Sequence, residues 1–291
     1  MASAPSWSGR SPALTGPVSA IFMIVFFVLP VLYLVLISFA QHSSTQGVAW
    51  SFSLNNYLDT VGDSFFWEVA WRTLRLSALT TLICLVLAFP VSHYLVTSRG
   101  WRQLAVFIVL LMPLVTSVTV MSYGWLILLG RQGLINMVLM GAGLLSIPRP
   151  LMNNEPAIVV GLVHVFLVFM VISIAGSLQS INPSLVPAAR SLGAGPVSTF
   201  LRITLPLCLP GIRAGSLLVF ALSMSAYAIP GILGGPRYKF ISTLVYQQAV
   251  SLFNWPVGAA LAVVLLILTA LIILVVLSAT RLVRICRSGA P

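Results

Sequence analysis

Long apolar runs dominate the chain, separated by short polar stretches rich in proline, glycine and arginine. A bilayer core of about 30 Å takes about 20 apolar residues in a helix. Six stretches meet that length: 18–40, 73–97, 104–129, 157–178, 214–233 and 257–280. The last is the plainest, because 261–277 holds fourteen Leu, Ile or Val residues. At about −0.3 to −0.6 kcal/mol each, they favour insertion by about 4 to 8 kcal/mol with no charge to oppose it. The pattern predicts an all-α, polytopic membrane helix bundle of six transmembrane helices. The first run is predicted to be a retained helix. Ser38-Phe39-Ala40 looks like a small-x-small cleavage site, but the run exceeds the about 7–15 residues of a signal core and only Arg10 precedes it.

Proline interrupts four of the predicted spans, at Pro30, Pro90, Pro113 and Pro230. Each lacks an N–H and frees a carbonyl one turn earlier. Such breaks are tolerated where neighbouring helices or a water-lined cavity satisfy the freed groups, so a bundle with a polar path is expected. A further apolar stretch, 134–145, is too short to span and is expected as a surface or half-buried helix at the mouth of the bundle.

Composition narrows the class. Residues are 59% hydrophobic and 7% charged, against about 25% charged in soluble domains. Soluble enzyme, disulfide scaffold, disordered regulator and DNA-binding domain are excluded. The formal net charge of +11 would suggest nucleic acid in a soluble protein, but here it reads as topology. With both termini in the cytoplasm, Arg10, Arg99, Arg102, Arg190, Arg202, Arg213, Arg281, Arg284 and Arg287 lie inside. Arg72, Arg75, Arg131, Arg149, Arg237 and Lys239 lie outside with all four acids, Asp59, Asp63, Glu68 and Glu155. That balance, +9 inside against +2 outside, is the one the positive-inside rule asks for. No nucleic-acid partner is expected. Residues 1–17 and 281–291 are then cytoplasmic tails around a six-helix bundle at 18–280. Cys84, Cys208 and Cys286 share no metal-type spacing and read as apolar fillers.

No energy source is visible in the chain. A phosphate-binding loop needs lysine before Ser or Thr, and the single lysine, Lys239, precedes Phe240. Ion-coupled carriers bury acids or histidines near the midplane, and no acid falls within a predicted span. His164 lies mid-span and reads as a histidine bonded to a neighbouring helix. No Ser/His/Asp grouping or paired carboxylate points to hydrolysis. Catalytic residues, metal sites and cofactors bound by this chain are therefore expected to be none. An ion-coupled secondary carrier remains the alternative from another class, with a membrane-embedded enzyme behind it.

The longest cytoplasmic loop, 179–213, contains the most organised sequence. Ser184 is placed to cap a helix from Leu185, with Pro187 in its first turn, where N–H groups lack intrahelical partners. Leu185, Ala188, Ala189 and Leu192 share one face, beside Arg190. Gly193 and Gly195-Pro196 end the helix. Interfacial helices carry Trp, Phe or several Lys, whereas this face carries alanines, which suits insertion into a groove on another protein.

Here the chain resembles the binding-protein-dependent ABC importer permeases of type I, whose loop reads E-A-A, three residues, Gly, nine residues, I-x-L-P. Ala188-Ala189, Gly193 and Ile203-Thr204-Leu205-Pro206 stand at that spacing, with Pro187 where the family typically has Glu. Thr73-Leu74-Arg75-Leu76-Ser77 and Leu233-Gly234-Gly235-Pro236 also fit. Asn254-Trp255-Pro256-Val257-Gly258-Ala259-Ala260 resembles the spermidine/putrescine-type branch, which has relatives for opines and aminoalkylphosphonates.

The resemblance implies a non-catalytic transport subunit of the bacterial inner membrane. Its implied partners are a second permease, identical or homologous, two ATPase subunits that hold ATP-Mg, a periplasmic or lipid-anchored binding protein, and membrane lipid. ATPase coupling would fall to Leu185, Ala188, Ala189, Arg190, Leu192, Gly193, Leu205 and Pro206. The substrate path is expected beside the breaks, at Thr116, Ser117, Tyr123, Trp125, Ser223, Ser225 and Tyr227. The substrate would be a small nitrogenous solute such as a polyamine, opine or aminoalkylphosphonate, or alternatively a small inorganic or organic anion. Polyamine-type permeases often carry an acid near position 226, where this chain has Ala226.

Overall fold

The computed structural model describes residues 15–43 and 47–288. It opens with helix α1 (Thr15–Ser38) and a short antiparallel ribbon, β1 (Gln41–Ser43) and β2 (Gly47–Ala49), in which Gln41 faces Ala49. Then come α2 (Asn55–Gly62), α3 (Ser64–Thr97), α4 (Trp101–Val115), α5 (Val118–Leu129), α6 (Leu134–Gly141) and α7 (Glu155–Gln179). The second half holds α8 (Leu185–Ser191), α9 (Pro196–Thr199), a π-helical turn (Phe200–Thr204), α10 (Leu205–Ser225) and α11 (Ala228–Leu233). It ends with α12 (Ile241–Tyr246), a second π-helical turn (Gln247–Ser251) and α13 (Trp255–Ser288). The ribbon is a small addition to the expected all-α bundle. Arg10 and the side chains of Arg281, Arg284, Cys286 and Arg287 lie outside the described residues.

Six stretches of the described residues are long and apolar enough to cross a bilayer. Counted together, α5 and α6 form one of them, Val118–Gly141, but a non-helical turn at 130–133 parts the two. The third crossing is better assigned to α4 with α5. At 1.5 Å per residue they reach about 22 and 18 Å, so neither spans about 30 Å alone, and both pack against α7.

Three predicted boundaries move. The second helix begins at Ser64, not 73, because Asp63 caps it: its Oδ1 accepts from the Phe65 N–H at 2.9 Å. At about 51 Å it outreaches the bilayer core. The third span is broken after Val115, two residues past Pro113, whose missing N–H frees the Val109 carbonyl. The fifth begins at Leu205, not 214, so the end of the predicted loop 179–213 is helical. Pro206 follows directly on the π-helical turn, where the Leu205 N–H reaches back five residues to the Phe200 carbonyl, so its missing N–H falls where the regular i→i−4 ladder is already shifted. The same helix breaks at Ala226–Tyr227, before resuming as α11. The apolar stretch 134–145 is helical only to Gly141, and Gly143 turns the chain away at φ +71°.

Helix α7 is the axis of the bundle, with 61% of its apolar window buried against 6% for α1. Asn154 caps it through Oδ1 to the Ala157 N–H at 2.9 Å. It packs on α3 and α10 around Leu76, Cys84, Leu162, Met170, Ile174 and Val219, all fully or nearly fully buried. Close approach depends on Gly211 and Gly215, a small-xxx-small pair. A Cβ at 211 would lie 2.3 Å from the Ser173 carbonyl oxygen, and one at 215 would lie 2.8 Å from Met170 Sδ. In contrast, α1 leans on α13 and exposes Ile21 to Leu29 around its circumference, the all-round apolar surface of a lipid-facing helix.

Candidate functional site

Two regions gather the polar and small residues singled out by sequence. One is the end of the bundle that carries α8, the loop end; the opposite end holds a cavity beside α11 and α12.

At the loop end, α8 starts differently from expectation. Ser184 occupies the cap position but its side chain bonds no helix N–H. Instead the Asn182 carboxamide oxygen accepts from both the Ser184 N–H at 3.0 Å and its hydroxyl at 2.8 Å. Ser184 also has helical backbone angles (φ −76°, ψ −19°) in place of the extended ones of a capping residue, so its side chain is not set to reach the helix N–H groups. The other end follows expectation. Gly193 takes φ +84°, its N–H reaches the Arg190 carbonyl at 3.0 Å, and the Ala194 N–H reaches the Ala189 carbonyl at 3.1 Å. This pairing is a Schellman cap. Ala189 turns inward at 8% exposure, while Leu185, Ala188, Arg190 and Leu192 (88%) stay outside. Val197 and Leu201 extend the exposed apolar face. Leu205 and Pro206 open α10, half-buried, beyond the π-helical turn.

The cavity end is assembled from distant segments. A cavity of about 540 Å³ is bordered by Thr119 and Tyr123 of α5, Tyr227 before α11, and Lys239, Tyr246 and Gln247 around α12. The Tyr227 and Tyr246 rings stack at 5.0 Å and 14°. Lys239 Nζ donates to Gln247 Oε1 at 2.7 Å. Tyr227 also borders a second, more apolar cavity of about 480 Å³ with Ser225 and Ser242 against α13.

The break that places Tyr227 is chemically closed. Pro230 withholds the N–H that would meet the Ala226 carbonyl four residues earlier, and the Ser242 hydroxyl donates to that carbonyl at 2.6 Å. The freed group is thus satisfied by a neighbouring element.

The loop 234–240 that delivers Lys239 is pinned from α3. The Arg72 guanidinium bonds the Arg237 carbonyl at 3.2 Å and sits 5.4 Å from the Tyr238 ring centroid. It pairs with Glu68 at 2.5 Å and lies 3.6 Å from Glu155, which also pairs with Arg75. Thr73 Oγ1 accepts from the Ile241 N–H at 3.1 Å. Asn153 closes the far side, its N–H on the Leu233 carbonyl at 2.9 Å.

Of the expected path residues, Tyr123 and Tyr227 come together at the larger cavity. Thr116 and Ser117 are exposed at the α4–α5 break. Trp125 is turned away, donating to His164 Nδ1 at 3.0 Å and tying α5 to α7. Ser223 is fully buried, and its hydroxyl has no hydrogen-bond partner among the described residues. Sequence reasoning does not place Lys239, Tyr246 and Gln247 at the path. Their signal is nonetheless there: the chain's single lysine closely follows the Gly234-Gly235-Pro236 turn, and a Tyr-Gln-Gln run comes soon after.

No protein-family model matches the chain. The spermidine/putrescine transport system permease protein PotB of Haemophilus influenzae is 32% identical over 90% of this chain and 91% of its own length. The molybdenum transport system permease protein ModB of Mycobacterium bovis is 31% identical over 69% of this chain and 75% of its own. Among solved structures, a bacterial alginate ABC transporter, in complex with a periplasmic protein bound to an alginate pentasaccharide, has a chain matching with a TM-score of 0.69. That match covers 90% of each chain at 19% identity, a likeness of fold.

Proposed function

The chain belongs to the family of ABC transporter permeases that includes PotB, and from that premise we propose that it carries a small nitrogenous solute through the membrane under the drive of a separate ATPase. It is a non-catalytic transport subunit and a multi-pass protein of the bacterial inner membrane. Polyamines, opines and aminoalkylphosphonates are the solute classes considered. Two copies of the chain, or this chain with a homologous permease, enclose the path. An external binding protein delivers the solute. Two cytoplasmic ATPases, holding ATP-Mg, grip α8.

The observation that carries this reading is the shape of α8. It stands outside the packed core, ends in a glycine cap, and presents Leu185, Ala188 and Leu192 uncovered. Apolar side chains held on a short rigid helix fit a groove on a partner. Ala189, Leu205 and Pro206 serve differently, seating the helix and linking it through the π-helical turn to α10. Closure of the ATPases would move that linked unit, biasing the bundle between two states from a distance, which is the physical content of coupling between sites.

Gly193→Asp tests it. No heavy atom lies within 4 Å of a Cβ built at 193, so the variant meets strain of about 1 kcal/mol from the left-handed backbone but no clash. It plants a carboxylate on the docking face. Expected in proteoliposomes with the ATPase and binding protein are normal membrane insertion, lost ATPase stimulation and lost uptake. Uptake at the parental rate would remove the coupling assignment.

A further inference from the structure

We propose that the cavity of about 540 Å³ is a solute-binding station in which Lys239 receives an anionic group, so that the transported compound is a zwitterionic or anionic amino compound and not a bare polycation. This rests on the permease reading above and narrows its solute class.

The first support is size and make-up. Ligand sites commonly occupy about 300–1,000 Å³, mostly apolar with a few convergent polar groups. Here Tyr227 and Tyr246 form a stacked wall, Tyr123 faces the same space, and Gln247 and Lys239 supply directional polarity. Phenol rings accept the apolar body of a solute and offer hydroxyls at its rim.

The second is charge. Among the described residues, Lys239 is the single cationic side chain bordering the cavity, and no carboxylate borders it. Its ammonium has three donors. One is given to the neutral Gln247 oxygen, and among the described residues no carboxylate pairs with it. Two N–H groups therefore remain for a carboxylate or phosphonate. Gln247 fixes the ammonium without neutralising it, and the Arg72 clamp on Arg237 and Tyr238 fixes the loop that carries it. The nearby carboxylates Glu68 and Glu155 are already paired with Arg72 and Arg75. A polycation entering this space would meet a fixed like charge and no counter-ion.

The acids of this end lie elsewhere. Asp59 and Asp63 border a smaller cavity of about 240 Å³ with Gln248 and Leu244. Asp63 is engaged as the cap of α3. That cavity is where a polycation would have to be held if the proposal is wrong.

The test uses the full chain in lipid nanodiscs and calorimetric titration with three probes: 2-aminoethylphosphonate, N2-(1-carboxyethyl)arginine and spermidine. At least one acidic probe should bind, and more tightly than spermidine. Lys239→Met should weaken that binding at least about tenfold, the loss expected for a charge-assisted hydrogen bond. Lys239→Arg should hold it within about threefold, and Lys239→Glu should reverse the order of the probes. Thermal unfolding of each variant in the nanodisc should match the parent, separating lost recognition from lost folding. The proposal is overturned if spermidine binds the parent most tightly, if none of the probes binds, or if Lys239→Met leaves acidic-probe affinity unchanged. Spermidine binding abolished by Asp59→Asn would relocate the site to the acidic cavity. Parallel measurement of ATPase stimulation keeps the two readings apart. A parent that stimulates its ATPase but fails the probe series loses the lysine assignment alone.

Discussion

The two ends of this bundle solve opposite problems with similar means. At the loop end a short helix must be shown to a partner, so small and apolar residues are left uncovered: Leu192 is 88% exposed and nothing lies within 4 Å of a Cβ at Gly193. At the cavity end a loop must be held still around a space, and hydrogen bonds and ion pairs concentrate there. Arg72 alone touches Glu68, the Arg237 carbonyl and the Tyr238 ring. A protruding element needs a rigid cap and little else. A concave site needs its walls fixed from several directions, because each wall comes from a different helix. The difference teaches that docking surface and solute site are distinguished here by how the backbone is restrained, more than by which residue types appear.

The largest expected effect lies in the helix that joins the ends. α10 runs from the loop-end π-helical turn to the break at Ala226, and Gly211 holds it against α7. Gly211→Val places atoms where a Cβ alone would be 2.3 Å from the Ser173 carbonyl oxygen. Backbone cannot yield as a side-chain tip can, so the expected loss is about 3 kcal/mol, at the upper range for overpacking. Thermal unfolding in nanodiscs checks it, with ATPase stimulation and probe binding expected to fall together. Loss at one end only would show that α10 does not tie them.

A middle effect separates the ends. Arg72→Ala removes a guanidinium that is 11% exposed, leaving Glu155 its pair with Arg75. The hydrogen bond to the Arg237 carbonyl and the cation–π interaction with Tyr238 are worth about 1–2 kcal/mol together. Solute-probe affinity should drop about tenfold while ATPase stimulation persists. Equal loss of both readouts would mean that the clamp supports the whole bundle.

The loop end is largely legible in the sequence and the cavity end largely is not, for a physical reason. Leu261 to Leu277 declares a span by composition alone, and the α8 motif is contiguous from Leu185 to Gly193, so local rules suffice. Even there no side chain caps the start of the helix, because the Ser184 hydroxyl donates to the Asn182 carboxamide oxygen instead, a competition that spacing does not decide. The cavity joins Tyr123 to Tyr246 and Lys239 across more than a hundred residues, and no local period encodes that meeting. Trp125, two residues from Tyr123, is expected at the path and instead bonds His164. Residues two apart on a helix do not share a face, so one pointing at the cavity excludes the other. The Gly211–Gly215 pair is visible as a pattern, yet only the packed structure tells which helix it admits.

The smallest expected effect tests whether the break before Tyr227 is held or merely closed. Ser242 is 7% exposed and its hydroxyl satisfies the Ala226 carbonyl at 2.6 Å. Ser242→Ala leaves that carbonyl without its donor, a cost of about 1 kcal/mol. If Pro230 and the extended backbone at Ala226 (ψ 124°) set the break, the helix cannot close over it, Tyr227 stays stacked on Tyr246, and probe affinity falls by no more than about threefold. Calorimetric titration beside a nanodisc melting curve measures both quantities. A tenfold loss of binding with an unchanged melting curve would make Ser242 the element that aims Tyr227. The cavity wall would then depend on one hydroxyl, as the α8 cap depends on one glycine.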